Sequence, residues 1–338
     1  MSALEPRVAF SGEPGAFAED AVLAAFARPQ AVGVAGFRAV FEAVEAGRLP
    51  ADVAEVAPIV AGLLPIENLV NGTVRETYDL LLEHDLEIVG EVVVPVRLCL
   101  AALPGTRLEG IERIYSHIQA LGQAERFLRT RPWTLLTTYN TAGAGRLIAD
   151  RAERGAAAVL SPRAAGIFGL EVLVEEIGDE PDNRTRFLVV ARPGMMPGGL
   201  RSGPRPGSGA RPMRTTLVFG VRNEPGALHR CLGVFAAARL NLSKLESRPI
   251  RGRAWEYVFW VELDADLGHP RTQEVVAALE RTAATVRVLG GYPRAPEPRQ
   301  GGTRGPRRSG QADRPREDRD DPPAQPHAGR SAGPVEGH

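Results

Sequence analysis

The sequence predicts an α/β fold in two unequal parts, and three observations carry that expectation. Residues 1–192 alternate short apolar runs with amphipathic stretches, the pattern of a largely parallel sheet flanked by helices. Residues 214–292 read strand, helix, strand, strand, helix, strand, the ferredoxin-like order. Between them, residues 193–213 are dense in Gly, Pro and Ser without apolar periodicity, as a flexible linker is. Residues 293–338 hold almost no large apolar side chain and are expected to form a disordered tail.

Val8–Phe10 is short and apolar, a strand before the turn Gly12-Glu13-Pro14-Gly15 and an alanine-rich helix. Gly62–Pro65 leads to a helix with Val74, Tyr78, Leu81 and Leu82 on one side. Leu86–Leu100 is a valine-rich extended run broken at Pro95. Strands at Ile111–Tyr115, Thr134–Thr138 and Ala157–Leu160 precede helices at 117–130, 141–153 and 162–168, and strands near 170–176 and 185–191 close the part. In the smaller part, strands are expected at Thr215–Val221, Leu242–Ile250, Trp255–Leu263 and Thr285–Leu289, with helices at Ala227–Ala238 and Thr272–Thr282.

Composition narrows the function. The chain of 338 residues is 43% hydrophobic, and its 41 basic side chains balance 41 acidic ones. Nothing in that balance draws it to nucleic acid or an anionic membrane. No stretch approaches the roughly 20 apolar residues of a membrane span, and no signal-like N-terminus is visible, so a cytoplasmic location is expected. Cys99 and Cys231 lie far apart in apolar runs, as buried thiols do. Lys244 is the only lysine, so Schiff-base chemistry would rest on that residue and is set aside.

Polar clusters recur where strands meet helices, the edge at which α/β sheets present ligands. They are Gly12–Phe17, Glu67-Asn68 with Asn71–Thr73, Ser116–Gln119, Asn140-Thr141 and Asn183–Phe187. A cap or tight turn accounts for most of them singly; Ser116, Asn71, Thr73 and Asn140 all have N-cap chemistry. Together they offer hydroxyls, amides, a carboxylate and arginines, with no Cys/His metal set and no visible nucleophile–base pair. Such a pocket suits a small polyanion whose bond cleavage is assisted by hydrogen bonding, with no metal or cofactor.

These motifs resemble prephenate dehydratase in its monofunctional form with a C-terminal ACT domain. The likeness runs from about residue 7 to 291. It rests on Asn183-x-Thr185-Arg186-Phe187, Pro65-Ile66-Glu67-Asn68, the box from Ser116-His117-x-Gln119 to Gln123, and Ala164-Ala165 followed by Gly169-Leu170. In the second part it rests on Pro225-Gly226-Ala227-Leu228 and Glu246-Ser247-Arg248-Pro249. Leu69, Ile118, Asn140 and Ala16 depart from the family pattern, and Leu69 removes a hydroxyl from the pocket.

The resemblance implies a two-lobed catalytic domain like that of periplasmic binding proteins, and decarboxylating dehydration of prephenate to phenylpyruvate. It implies that Thr185 donates a hydrogen bond or proton to the leaving hydroxyl through a relay, with Glu67 as relay or polar anchor and its pKa raised by a dianion. Arg186 would fork onto the substrate's side-chain carboxylate, or form a structural ion pair. Phe187 would pack beside the ring or fill the core, while Asn68, Ser116, Gln119 and Thr141 orient the substrate. The ACT motifs imply phenylalanine as effector, held between Gly226, Ala227, Leu228 and Glu246, Ser247, Arg248, Pro249 in a homodimer or homotetramer. A constitutive dimerisation module is the plain alternative. Arogenate dehydratase and a non-catalytic amino-acid sensor are the rival functions.

Overall fold

In the computed structural model, residues 5–52, 56–201, 212–249 and 257–296 are described. The chain begins with β1 (Arg7–Ser11), α1 (Phe17–Ala25), β2 (Gln30–Val34), α2 (Phe37–Ala46), β3 (Ile59–Asn68), β4 (Gly72–Thr73), α3 (Arg75–Glu83) and β5 (Glu87–Pro95). Then come β6 (Cys99–Ala102), β7 (Arg113–Ser116), α4 (Ile118–Gln123), α5 (Glu125–Leu128), β8 (Thr134–Thr137), α6 (Thr141–Arg151), β9 (Ala156–Leu160), α7 (Pro162–Ile167) and β10 (Glu171–Val174). β11 (Arg184–Ala191) precedes β12 (Met213–Gly220), α8 (Ala227–Ala237), β13 (Leu242–Pro249), β14 (Tyr257–Leu263), α9 (Pro270–Thr282) and β15 (Thr285–Pro293).

Residues 1–192 build two sheets rather than one. The first has the order β2-β1-β3-β11-β5, with β4 on the end of β3; the second runs β10-β6-β9-β7-β8. Each keeps a parallel core (β2-β1-β3 and β9-β7-β8) and gains antiparallel strands where the chain crosses between lobes. The crossings are β5 to β6 and β10 to β11, and Val96 N donates to Asn183 O at 2.8 Å to tie them together. The expected helix at 117–130 is divided at Ala124, and β2 with α2 goes beyond the elements expected from periodicity.

The lobes meet tightly at the first turn. Gly15 has φ +87°, and a Cβ there would lie 2.7 Å from Ala164 Cα, so only glycine permits the approach. Ser161, the N-cap of α7, donates through Oγ to Gly15 O at 3.0 Å. Arg163 reaches Glu19 at 2.7 Å and Asp20 at 3.1 Å, and Arg146 reaches Glu13 at 2.7 Å. Within the expected linker, Gly199 O accepts from Ala27 N and Arg201 N donates to Ala25 O, so this part is docked on the end of α1. The rest of that linker, residues 202–211, lies outside the described residues, as does the expected tail beyond 296. The first residue of that tail, Pro293, instead closes β15, and Arg294 N donates to Pro212 O.

The third sheet, β13-β14-β12-β15, is antiparallel and two-faced. One face buries Leu217, Phe219, Val261 and Leu263 against Cys231 and Phe235 of α8 and Val275 and Leu279 of α9. The other places Val218, Trp260, Leu289 and Tyr292 in one core with Tyr78, Ile88 and Leu188 of the first lobe. The Trp260 and Tyr78 rings meet edge to face, 4.6 Å between centroids. Arg287 caps the last turn of α3, donating to Leu82 O at 3.2 Å and His84 O at 2.7 Å. The carboxyl end of α3 is therefore satisfied by a side chain of the third sheet.

Candidate active site

Strand pairing decides which motif residues meet. Thr185 stands opposite Asn68 and Arg186 opposite Glu67 in the β11–β3 ladder. Successive strand residues point to opposite faces, so the two pairs are sorted onto opposite sides of the sheet.

On one side Asn68, only 7% exposed, is oriented without ambiguity. Its Oδ1 accepts from Val70 N at 3.0 Å and Asn71 N at 2.9 Å, which forces the amide nitrogen to the opposite end. That nitrogen lies 2.8 Å from Asn183 Oδ1, 3.0 Å from Thr185 Oγ1 and 3.1 Å from Arg184 O. An amide donor on Thr185 Oγ1 occupies an oxygen lone pair and leaves the hydroxyl proton free to donate elsewhere. Asn68 thus orients the threonine hydroxyl. Asn183, to which the sequence assigned no role of its own, joins the site. The amide two residues before the hydroxyl in Asn183-Arg184-Thr185, hence on the same face of an extended chain, was the signal that could have placed it there.

On the other side the expected roles of Glu67 and Arg186 change. Arg186 forks onto Glu262 of β14, with Nη2 to Oε1 at 2.8 Å and Nη1 to Oε2 at 3.0 Å. It also lies 3.1 Å from Glu91 and from Glu67. Arg214 joins at 2.7 Å from Glu91, and Lys244 Nζ sits 3.3 Å from Glu67. Burial alone would lower the Arg186 pKa, but Glu262 above all, then Tyr292 and Glu91, outweigh it and hold the guanidinium charged. Both of its Nη groups are engaged by protein carboxylates. Opposite-sign charges set singly in apolar strands, Glu91 in GEVVVP and Glu262 in FWVEL, were the signal for this cluster.

Burial likewise raises the Glu67 carboxyl, yet Lys244 and Arg186 together outweigh it and hold the group below the ordinary carboxylate range. That is the reverse of the raised pKa expected beside a dianion. Its contribution to stability is complete above the unfolded pKa of about 4.3 and is lost as pH falls through the lower folded value. A Glu67→Gln variant is expected to show a flatter acid limb in a pH series of thermal midpoints.

Phe187, 3% exposed, packs with Phe10, Val94 and Val189 in the core of the first lobe. Ser116 is fully buried and donates to Val159 O at 2.6 Å, a structural bond between β7 and β9. The N-cap of α4 is His117, not Ser116; its Nδ1 accepts from Gln119 N at 3.3 Å. Burial lowers the His117 pKa, so its ring is held neutral. Gln119 is exposed in the first turn of α4, and Thr141 is the half-buried first residue of α6, capped by Asn140 onto Gly143 N. Both stand beyond the carboxyl ends of strands in the second lobe.

In the third sheet, Gly226, Ala227 and Leu228 line an open cavity of about 470 Å³ with Asn223, Tyr257 and Phe259. Glu246 and Arg248 do not line that cavity. Glu246 accepts from Thr73 Oγ1 at 2.8 Å and Arg248 lies 2.6 Å from Asp79, both contacts reaching the first lobe. Ser247 and Pro249, on the opposite side of β13, are exposed.

Residues 8–195 match the prephenate dehydratase family, and residues 215–281 match the ACT domain. The chain belongs to the prephenate dehydratase family. It is an enzyme of that family, a lyase, with an ACT domain behind its catalytic domain. It is 39% identical over 296 residues to arogenate dehydratase/prephenate dehydratase 2, chloroplastic, of Arabidopsis thaliana, covering 85% of this chain and 72% of the relative. Among solved structures it is similar to prephenate dehydratase from Arthrobacter aurescens in complex with L-Phe, at 31% identity and TM-score 0.72, over 85% of this chain and 90% of that one. It is also similar to GqqA, described as a novel type of quorum quenching acylase, at 29% identity and TM-score 0.73, over 86% and 98% of the two chains. No helix among the described residues is long and apolar enough to cross a membrane.

Proposed function

We propose that Thr185 is the proton donor in the decarboxylating dehydration of prephenate, and that Asn68 and Asn183 hold it in the donating orientation. The observation that carries this reading is the 3.0 Å bond from the Asn68 amide to Thr185 Oγ1, which leaves the Thr185 proton for the substrate. In the reaction the bond between the ring carbon and its carboxylate breaks, and its electron pair enters the ring. The C4–O bond breaks in the same direction, and the departing hydroxide takes one proton to leave as water. Carbon dioxide and phenylpyruvate are the other products.

With Arg186 engaged by carboxylates on the far face, the dianion is met by neutral donors. Thr141 at the head of α6 and Gln119 in α4 are the side chains that support this role. A neutral environment leaves the ring carboxylate less stabilised than an arginine fork would, which favours its loss. Asn68→Asp tests the orientation at constant shape. The carboxylate has no donor to offer Thr185 or Asn183 and sets two oxygens about 3 Å apart. Turnover is expected to fall about as far as on loss of the Thr185 hydroxyl, roughly 10²–10⁴-fold, read as phenylpyruvate formation.

The names of the curated relatives favour arogenate as a second substrate, because the same elimination serves both and only the side-chain amine differs. Assays of the purified protein with each substrate, following phenylpyruvate and phenylalanine, separate the two; neither product would leave the amino-acid-sensor reading. L-Phenylalanine is the effector we assign to the ACT cavity, where Tyr257, Phe259 and Leu232 offer an apolar wall for a ring. β13 is an edge strand with Leu245, Ser247 and Pro249 outward, which supports side-by-side pairing in a homodimer or homotetramer. Titration calorimetry with L-phenylalanine and light scattering check both.

A further inference from the structure

The acid–base cluster behind Thr185 crosses a domain boundary. Glu91 and Glu262 are both shared with Arg214, and Glu67 with Lys244, but of the three only Glu262 meets Arg186 through both of its oxygens. Glu262 belongs to the ACT sheet, and Arg186 is the residue directly after Thr185 in β11.

The local geometry makes that adjacency matter. Arg186 pairs with Glu67, but Phe187 pairs with Pro65, so Ile66 is an extra residue in β3 and the ladder is bulged beside the threonine. A bulge bends its strand and re-aims the neighbouring side chains. The β3–β11 ladder is therefore irregular one residue from Thr185, while on its other edge β11 keeps an unbroken register with β5 over Arg184–Val189. There the Arg186 guanidinium is gripped by carboxylates from β3, β5 and β14, and its two Nη atoms have a planar fork that fits one carboxylate bidentately. Holding the guanidinium adds a constraint on the rotation of β11 about its own axis, and so on the direction of Oγ1 on the opposite face, beside those of its two ladders and of Asn68.

We infer that Glu262 of the ACT domain is a positioning residue for the elimination, acting through Arg186 on Thr185. The catalytic strand is then fully aligned only while the ACT sheet is docked on it. This rests on Thr185 being the donor.

The test is steady-state kinetics with prephenate on the full chain, comparing wild type, Glu262→Gln, Glu262→Asp, Thr185→Ala and the doubles with Thr185→Ala. Glu262→Gln keeps the shape and removes the charge, and kcat is expected to fall about 10- to 100-fold, the scale of an ångström-level misplacement, with KM little changed. Glu262→Asp should recover part of that loss. In the Thr185→Ala background either change should move the residual rate by less than about twofold, because nothing remains to be aimed. Wild-type kcat in whichever of the two Glu262 variants folds, or an equal loss with and without Thr185, overturns the inference. Undiminished turnover by Thr185→Ala alone overturns the donor reading instead, so the two failures are distinct.

Discussion

Thr185→Ala is expected to lower kcat by roughly 10²–10⁴-fold, the contribution of a positioned acid, while leaving KM nearly unchanged. The split follows from what the hydroxyl does. It bonds to a group that becomes basic only as the C4–O bond breaks, so its loss is felt in the transition state and hardly in the ground state. Thr185→Ser, which keeps the hydroxyl, should retain most of the turnover, since the Asn68 amide still selects the rotamer. The fold should tolerate both changes, because Thr185 is only half-buried and contributes no large apolar group. Phenylpyruvate absorbance gives the rate, and circular dichroism with a thermal melt confirms the fold. A Thr185→Ala enzyme with wild-type kcat would remove the threonine from the chemistry.

Gly290→Ala is expected to have the largest effect on stability. A Cβ at Gly290 would lie 2.1 Å from Ile88 O, with Ile88 C and N at 3.0 and 3.1 Å. Every one of those atoms is backbone, so no side chain can swing aside. β15 must withdraw from β5, and the withdrawal pulls on the Arg287 cap of α3 and on the Tyr292–Thr216 hydroxyl pair. Overpacking of this severity costs about 3 kcal/mol or more, roughly 4–5 °C or more of thermal midpoint at this chain length. Hydrogen exchange should speed up in β5, β15 and α3 before the distal lobe. Gly233→Ala in α8 is the matched control: nothing lies within 4 Å of its Cβ, and helix propensity predicts a gain of up to about 1 kcal/mol.

Much of the fold was legible because its signals are local. Cap chemistry at Asn140 and Ser161, the break at Pro95 and period-two alternation in β13 can all be read within a few residues. The motif Asn183-x-Thr185 was legible too, as an unusual density of donors at one strand entrance. The Gln30–Val34 strand and the Phe37–Ala46 helix were harder, since QAVGV is short and half-exposed and carries little apolar contrast. Part of the site was misjudged although a local rule could have sorted it. Thr185 and Arg186 are adjacent in a strand, so they cannot both face one ligand, and Glu67 and Asn68 obey the same rule.

The sequence by itself determined the family, the two kinds of domain and the motif that contains Thr185, because each is written in contiguous residues whose chemistry does not depend on distant partners. Only the tertiary structure decided what Asn68, Glu67 and Arg186 do. Their roles depend on the β3–β11 register, on a bulge that shifts it by one residue, and on a carboxylate 76 positions away in another domain. A buried guanidinium must find its counter-charges wherever the packed chain brings them. Here packing brought one of them from the ACT sheet, so the arginine beside Thr185 belongs to the junction between domains.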